Sequence, residues 1–126
     1  DIVHDAGKTF IVHMCGHLGG PMPEVLAQID LDGIEAITTP PLGDADLATL
    51  RQTLGDDTWL IGGVDPSQYA TATVEQITAQ VRHTLEVMRG DRRFLLGHEE
   101  IPLAAKMENV QAVAELVAQT RDGFYN

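Results

Sequence analysis

Residues 58–64 read TWLIGGV, and residues 73–89 read TVEQITAQVRHTLEVMR. The first is a short apolar run closed by a glycine pair, the pattern of a buried strand. The second places Val74, Ile77, Val81, Leu85 and Met88 at helical spacing, behind a capping box made by Thr73 and Gln76. A strand followed by an amphipathic helix is one βα unit, and the pair recurs along the chain. Residues 9–15 (TFIVHMC) read as a strand before a helix over 21–29, where Met22, Val25, Leu26 and Ile29 share a face. Residues 33–39 (GIEAITT), ended by Pro40-Pro41, precede a helix over 46–54 with Leu47, Leu50 and Leu54 inward. Residues 93–97 (RFLLG) precede a helix over 106–121 with Val110, Val113, Leu116 and Val117 inward.

Strands alternating with helices predict an α/β fold: four consecutive βα units with parallel strands and right-handed crossovers. Strands that are apolar on both faces predict a sheet covered on both sides. Two architectures fit. One is an open, doubly wound sheet, although no strand leads into a G-x-G-x-x-G fingerprint. The other is half of a (βα)8 barrel, whose full form takes about 250 residues.

The chain has 126 residues and a mass of 13.7 kDa, which predicts one domain over residues 1–126. The opening residues 1–7 read as the last turn of a helix stopped by Gly7, so the chain is expected to be a piece of something longer, or else a chain with a trimmed leading tag. Eight Lys and Arg against nineteen Asp and Glu give a net charge of −11. That balance counts against nucleic acid and against anionic lipid as partners. A single cysteine rules out an internal disulfide, and no apolar run approaches the roughly 20 residues of a membrane span. A cytoplasmic protein is the expectation.

In parallel α/β folds chemistry gathers at the carboxyl ends of the strands. The first strand ends in His13-Met14-Cys15-Gly16-His17. Residues two apart in a strand point the same way, so His13 and Cys15 place an imidazole and a thiol side by side. The pair suits a borderline cation such as Zn²⁺, or else a core position for the thiol. Glu35 is either a functional carboxylate or a strand-end side chain reaching solvent. Gly62-Gly63 allows close approach of a ligand or a tight turn. His98-Glu99-Glu100 supplies capable metal ligands or proton-transfer groups, or a polar loop. His4 and His83 fall in helical segments with no partner in view.

Read in order, HMCG, GIEAITTPPLGDADL, LIGGVDP and FLLGHEEIP followed by MENVQAV resemble the C-terminal half of the uroporphyrinogen decarboxylase superfamily. The His-x-Cys on a strand resembles the branch of zinc-dependent, cobalamin-linked methyltransferases. The resemblance covers essentially the whole chain, and it implies a (βα)8 TIM barrel of which this chain supplies the last four units. In that branch the His, the Cys and a further Cys after the last strand bind zinc. The metal activates a thiol that accepts a methyl group from a methylated corrinoid. Carried over, His13 and Cys15 become zinc ligands, and the partners become a corrinoid (cobalamin) protein and a small-molecule methyl acceptor.

This chain departs from the pattern, because it has no second Cys. His98-Glu99-Glu100 stands in the place of the missing ligand, which implies a His-Cys-His or a His-Cys-Glu site and a more Lewis-acidic zinc. The cobalamin-independent methionine synthases, more distant relatives, also use a Glu on the next strand. The matching position here is Ile37, and period two puts Glu35 on the same face as Ile37, so Glu35 is a further candidate ligand. Gly97-His98 also resembles the Gly-His of the metal-free decarboxylases, which gives a lyase as the alternative activity. A third reading is a non-catalytic half-barrel whose unpaired edge strands close with a second copy as a homodimer.

Overall fold

Four strands lie side by side in chain order, all parallel: β1 (Ile11–His13), β2 (Gly33–Ile37), β3 (Trp59–Gly63) and β4 (Phe94–Gly97). The computed structural model describes residues 2–98 and 100–124. Helix α1 (Ile2–Asp5) precedes the sheet. The returns run through α2 (Met22–Leu26), through α3 (Leu47–Leu54), and through α4 (Gln68–Thr71) with α5 (Val74–Val87). Helix α6 (Met107–Thr120) and a 3₁₀ turn (Arg121–Gly123) follow β4. When every right-handed crossover steps the same way, all the helices land on one face. A doubly wound sheet needs a reversal of strand order, and the order β1-β2-β3-β4 has none. The architecture is therefore the half-barrel alternative.

The covered face carries the core. Ile34, Leu60 and Phe94 are register neighbours on β2, β3 and β4, and all three are buried. Leu26, Leu47, Leu50 and Met88 from the helices close over them. A second cluster, Val64, Tyr69, Ile77, Val81, Val113 and Leu116, joins β3 to α4, α5 and α6. The expectation of cover on both sides fails: Ile11 and Leu95, on the opposite face, are 42% and 49% exposed. Their apolar character belongs to the concave side of a barrel, which needs four more strands to close it. Val25, Ile29 and Val74, placed on inward stripes by spacing, are exposed as well. Helix α2 is too short to bury more than one line of side chains.

Local rules account for most boundaries. Asp46 caps α3 by accepting from the Thr49 N–H at 2.6 Å. Thr73 and Gln76 form both halves of their capping box at α5. Helix α4 had no periodic signal. It is held by tertiary contact, since the buried Asn109 of α6 donates to the carbonyls of Tyr69 and Ala72. At the amino ends of the strands, Arg51 is a staple. It grips Asp91 through Nε and Nη2 (2.6 and 3.2 Å) and donates to the carbonyls of Gly55, Thr58 and Arg93. Among the described residues no helix is long and apolar enough to cross a membrane.

His4 has partners that spacing could not show. Its Nε2 meets Asp32 Oδ2 at 2.9 Å and its Nδ1 meets Asp30 Oδ2 at 3.2 Å, across the turn before β2. Two carboxylates facing two ring nitrogens require the doubly protonated imidazole. The hydrogen bond to Asp32 raises the His4 pKa above its ordinary 6.5, against the opposing pull of burial. Asp32 is lowered below 3.8, first by the Phe10 N–H and then by His4. The His4 contribution to stability is therefore complete below pH 6.5 and is lost as pH rises through the raised value. The Asp32 contribution is present above pH 3.8 and is lost as pH falls through the lowered value. Protection factors at the end of α1, with the intrinsic pH dependence of exchange divided out, should accordingly be highest in mildly acid solution and fall toward alkaline pH, and His4→Ala should abolish that fall.

Candidate functional site at the carboxyl ends of the strands

Backbone pairing continues past β1, because the Met14 N–H donates to the Glu35 carbonyl at 2.9 Å. Exposure alternates along this stretch. His13, Cys15 and His17 face out with Ile11, while Met14 packs against the core. Cys15 is an exposed free thiol, so the core position is not its place. His13 and Glu35 are register partners across β1 and β2, and the His13 Nδ1–H donates to Glu35 Oε1 at 2.5 Å. This bond fixes the ring orientation and makes Nε2 the nitrogen through which the imidazole would bind a metal.

Glu35 reaches His13 by ordinary alternation and register, opposite the buried Ile34; the irregularity that period two does not contain lies just beyond it. Ala36 has φ +63°, and the β2–β3 register shifts between Ile34 and Ile37. The bulge sends Ile37, 1% exposed, into the core with Ile34 and Leu60. The expectation that Glu35 and Ile37 share a face is thus corrected: the carboxylate turns to the open side and the isoleucine to the helices. Gly62 is the reason the partner strand tolerates this. Its φ is +142°, and a Cβ there would stand 2.5 Å from the Ile37 carbonyl oxygen. Gly62 thus serves close packing of backbone on backbone, while Gly63 makes room for the side chains of Thr84, Leu47 and Phe94.

His98 is not brought to His13. It follows β4 at the other edge of the sheet, where its ring meets Tyr69 edge-on with centroids 5.0 Å apart. Its Nδ1 is buried without a hydrogen-bond partner, and burial lowers its pKa below 6.5. It lies in a cavity of about 430 Å³ with Val64, Leu96 and Val113. Glu99 lies outside the described residues, and Glu100 is exposed. Among the described residues no three His, Cys, Asp or Glu side chains converge closely enough to hold a metal ion.

Two aspartates that set the loops went unread in the sequence. Asp44 Oδ1 accepts the Leu18 and Gly19 N–H groups at 2.6 and 3.0 Å, and its Oδ2 meets His17 Nδ1 at 3.2 Å. Desolvation raises its pKa, but the Gly19 and Leu18 amides and His17 outweigh it, so the carboxyl titrates below 3.8. Nothing in GDADL announces a partner in a different loop. Asp65, fully buried after β3, accepts from Ser67 N–H (2.8 Å) and from Leu42 N–H (3.1 Å). The first is an Asx turn, which the string Asp65-Pro66-Ser67 does signal. From α5, Gln80 donates to the Pro40 carbonyl at 2.8 Å beside the cis Pro40-Pro41 bond. The three loops behind β1, β2 and β3 are thus tied to one another around His13, Glu35 and Cys15.

The sequence model of the family described as uroporphyrinogen decarboxylase (URO-D) matches residues 1–120. No curated protein matches the sequence. Among solved structures, a methyltransferase from Methanosarcina mazei is similar, with a TM-score of 0.65 and 21% identity. The alignment covers 98% of this chain and 34% of that protein, so the chain spans about a third of that relative's length. At this identity the likeness concerns the fold.

Replacing Asp44 tests the loop geometry. Asp44→Ala removes the acceptor shared by the Leu18 and Gly19 amides and is expected to loosen that loop without unfolding the sheet. Hydrogen exchange should show protection lost at Leu18 and Gly19 while the core amides of Leu60 and Phe94 hold.

Proposed function

This chain belongs to the uroporphyrinogen decarboxylase (URO-D) family, and on that premise we propose that it is the metal-bearing part of a zinc-dependent methyltransferase barrel. The observation that carries the reading is the Glu35–His13 hydrogen bond on the same open face as the exposed Cys15 thiol. A histidine whose second nitrogen is held by a carboxylate is the usual form of a zinc-binding imidazole. An exposed thiol two residues along supplies the soft donor. The pair fits two positions of a zinc site.

In this reading His13 and Cys15 are ligands, and Glu35 is a positioning residue that orients His13. Glu99, one residue beyond His98, is the candidate for a further ligand. His98 itself, held against Tyr69, is given no part in the metal site. When bound, zinc keeps a thiol deprotonated at neutral pH while leaving it nucleophilic. The surrounding residues place that thiol: the Asp44 and Asp65 anchors fix the loops, and the concave face of the sheet offers the apolar wall. The methyl donor is a corrinoid carried by a partner protein, and the acceptor is a small molecule. Four further βα units, from a longer chain or from a second copy, complete the barrel.

Zinc content after reconstitution under reducing conditions tests the assignment. The expected result is about one zinc per chain in the wild type and in Glu35→Gln, and none retained in Cys15→Ala or His13→Ala. Competition with a chelator should show Glu35→Gln binding zinc about 10–100-fold more weakly. No zinc in the wild type would reject this reading in favour of the metal-free lyase. Zinc unaffected by Cys15→Ala would move the site elsewhere.

A further inference from the structure

Half of the cations of this acidic chain sit in one place, at the end of the sheet opposite His13 and Cys15. Of eight Lys and Arg in all, Arg51, Arg89, Arg92 and Arg93 line a cleft of about 630 Å³ between α3, the end of α5 and the start of β4. Two carboxylates share it, Asp56 and Asp91. Arg51 and Asp91 neutralise each other in their two-bond pair, which is mostly buried. The remainder is three guanidinium groups against Asp56. Arg93 lies over the ring of Trp59, 5.3 Å from its centroid. Arg89 and Arg92 are exposed and make no side-chain hydrogen bond or ion pair among the described residues.

A structural role accounts for part of this. Cations near a helix C-terminus complement the dipole, and Arg51 does so for α3, where it also binds the Gly55 carbonyl. It does not account for Arg89, Arg92 and Arg93 together. Like charges this close repel, and in a chain of net charge −11 carboxylates to pair them are plentiful. Asp56 stands beside them, Asp57 follows it in sequence, and Glu86 lines the next cleft with Arg89, yet none of these carboxylates pairs with Arg89 or Arg92 among the described residues. Guanidinium forks match phosphate oxygens two at a time.

We propose that this cleft binds the phosphate group of a small phosphorylated molecule, with Arg89 and Arg92 as the direct contacts and Arg93 closing over it from Trp59. The site is separate from the chemistry at the other end of the strands and does not rest on the zinc reading.

Inorganic pyrophosphate is the probe, titrated by calorimetry at constant ionic strength so that general screening is held fixed. Trp59 is the chain's single tryptophan, so its fluorescence reports locally on the movement of Arg93. The expected result is saturable binding with a parallel change in Trp59 emission. Arg89→Ala/Arg92→Ala should weaken it at least about tenfold, since each charge-assisted contact is worth about a factor of ten or more. Arg121→Gln, which removes a positive charge elsewhere, should leave the affinity unchanged. Both changed arginines are exposed, and circular dichroism checks that the fold is kept. Absence of saturable binding, or equal affinity in the double variant, would overturn the proposal. An equal loss in Arg121→Gln would do the same, because it would reduce the effect to net charge.

Discussion

The buried line Ile34–Leu60–Phe94 is the constraint on which the other features rest. These three side chains stand at matching heights on neighbouring strands, and helices close over them. They fix which face of the sheet is inside. Once that face is set, alternation dictates that His13, Glu35 and Leu95 look the other way. The candidate site and the open apolar surface are two results of the same choice. A parallel sheet with helices on only one side is incomplete as a layered structure, which accounts for the large apolar side chains left at the concave side.

The βα order, the capping box at Thr73 and the helix starts were legible because each depends on residues within a few positions of one another. What was not legible depends on contacts across the sheet. The bulge at Ala36 is a case: a strand read at period two puts Glu35 with Ile37, and only the packing of Ile37 against Ile34 and Gly62 reverses it. The partners of His4 and of Asp44 are more than twenty residues away. The pairing of His13 with Cys15 on one face was readable from spacing. The bond from His13 to Glu35 was not, since strand register is set by the whole sheet. His98 was legible as a strand-end residue, but its turn toward Tyr69 follows from the position of α4, which has no sequence signal of its own.

Charge is distributed along the strand axis in a way that composition conceals. The carboxyl end of the sheet holds His13, Glu35, His17 and Asp44, and three of its loops are tied by aspartates. The amino end holds four arginines in one cleft, alongside Asp56 and Asp91 and the Asp30 and Asp32 that face His4. A net charge of −11 describes neither end. The net charge of the chain therefore says nothing against a small anion at one pole.

Arg51 has a consequence beyond the salt bridge it forms. Its guanidinium touches the end of α3, the residue before β3, the turn after α5 and the residue before β4. One side chain thus joins the second, third and fourth βα units. Repetitive α/β chains could in principle melt unit by unit, like beads lost from one end of a string. Here that route is closed between β2 and β4, because releasing any one unit leaves a buried cation facing carbonyls it no longer reaches. The second, third and fourth repeats are thereby coupled through one side chain as well as through their strand pairing.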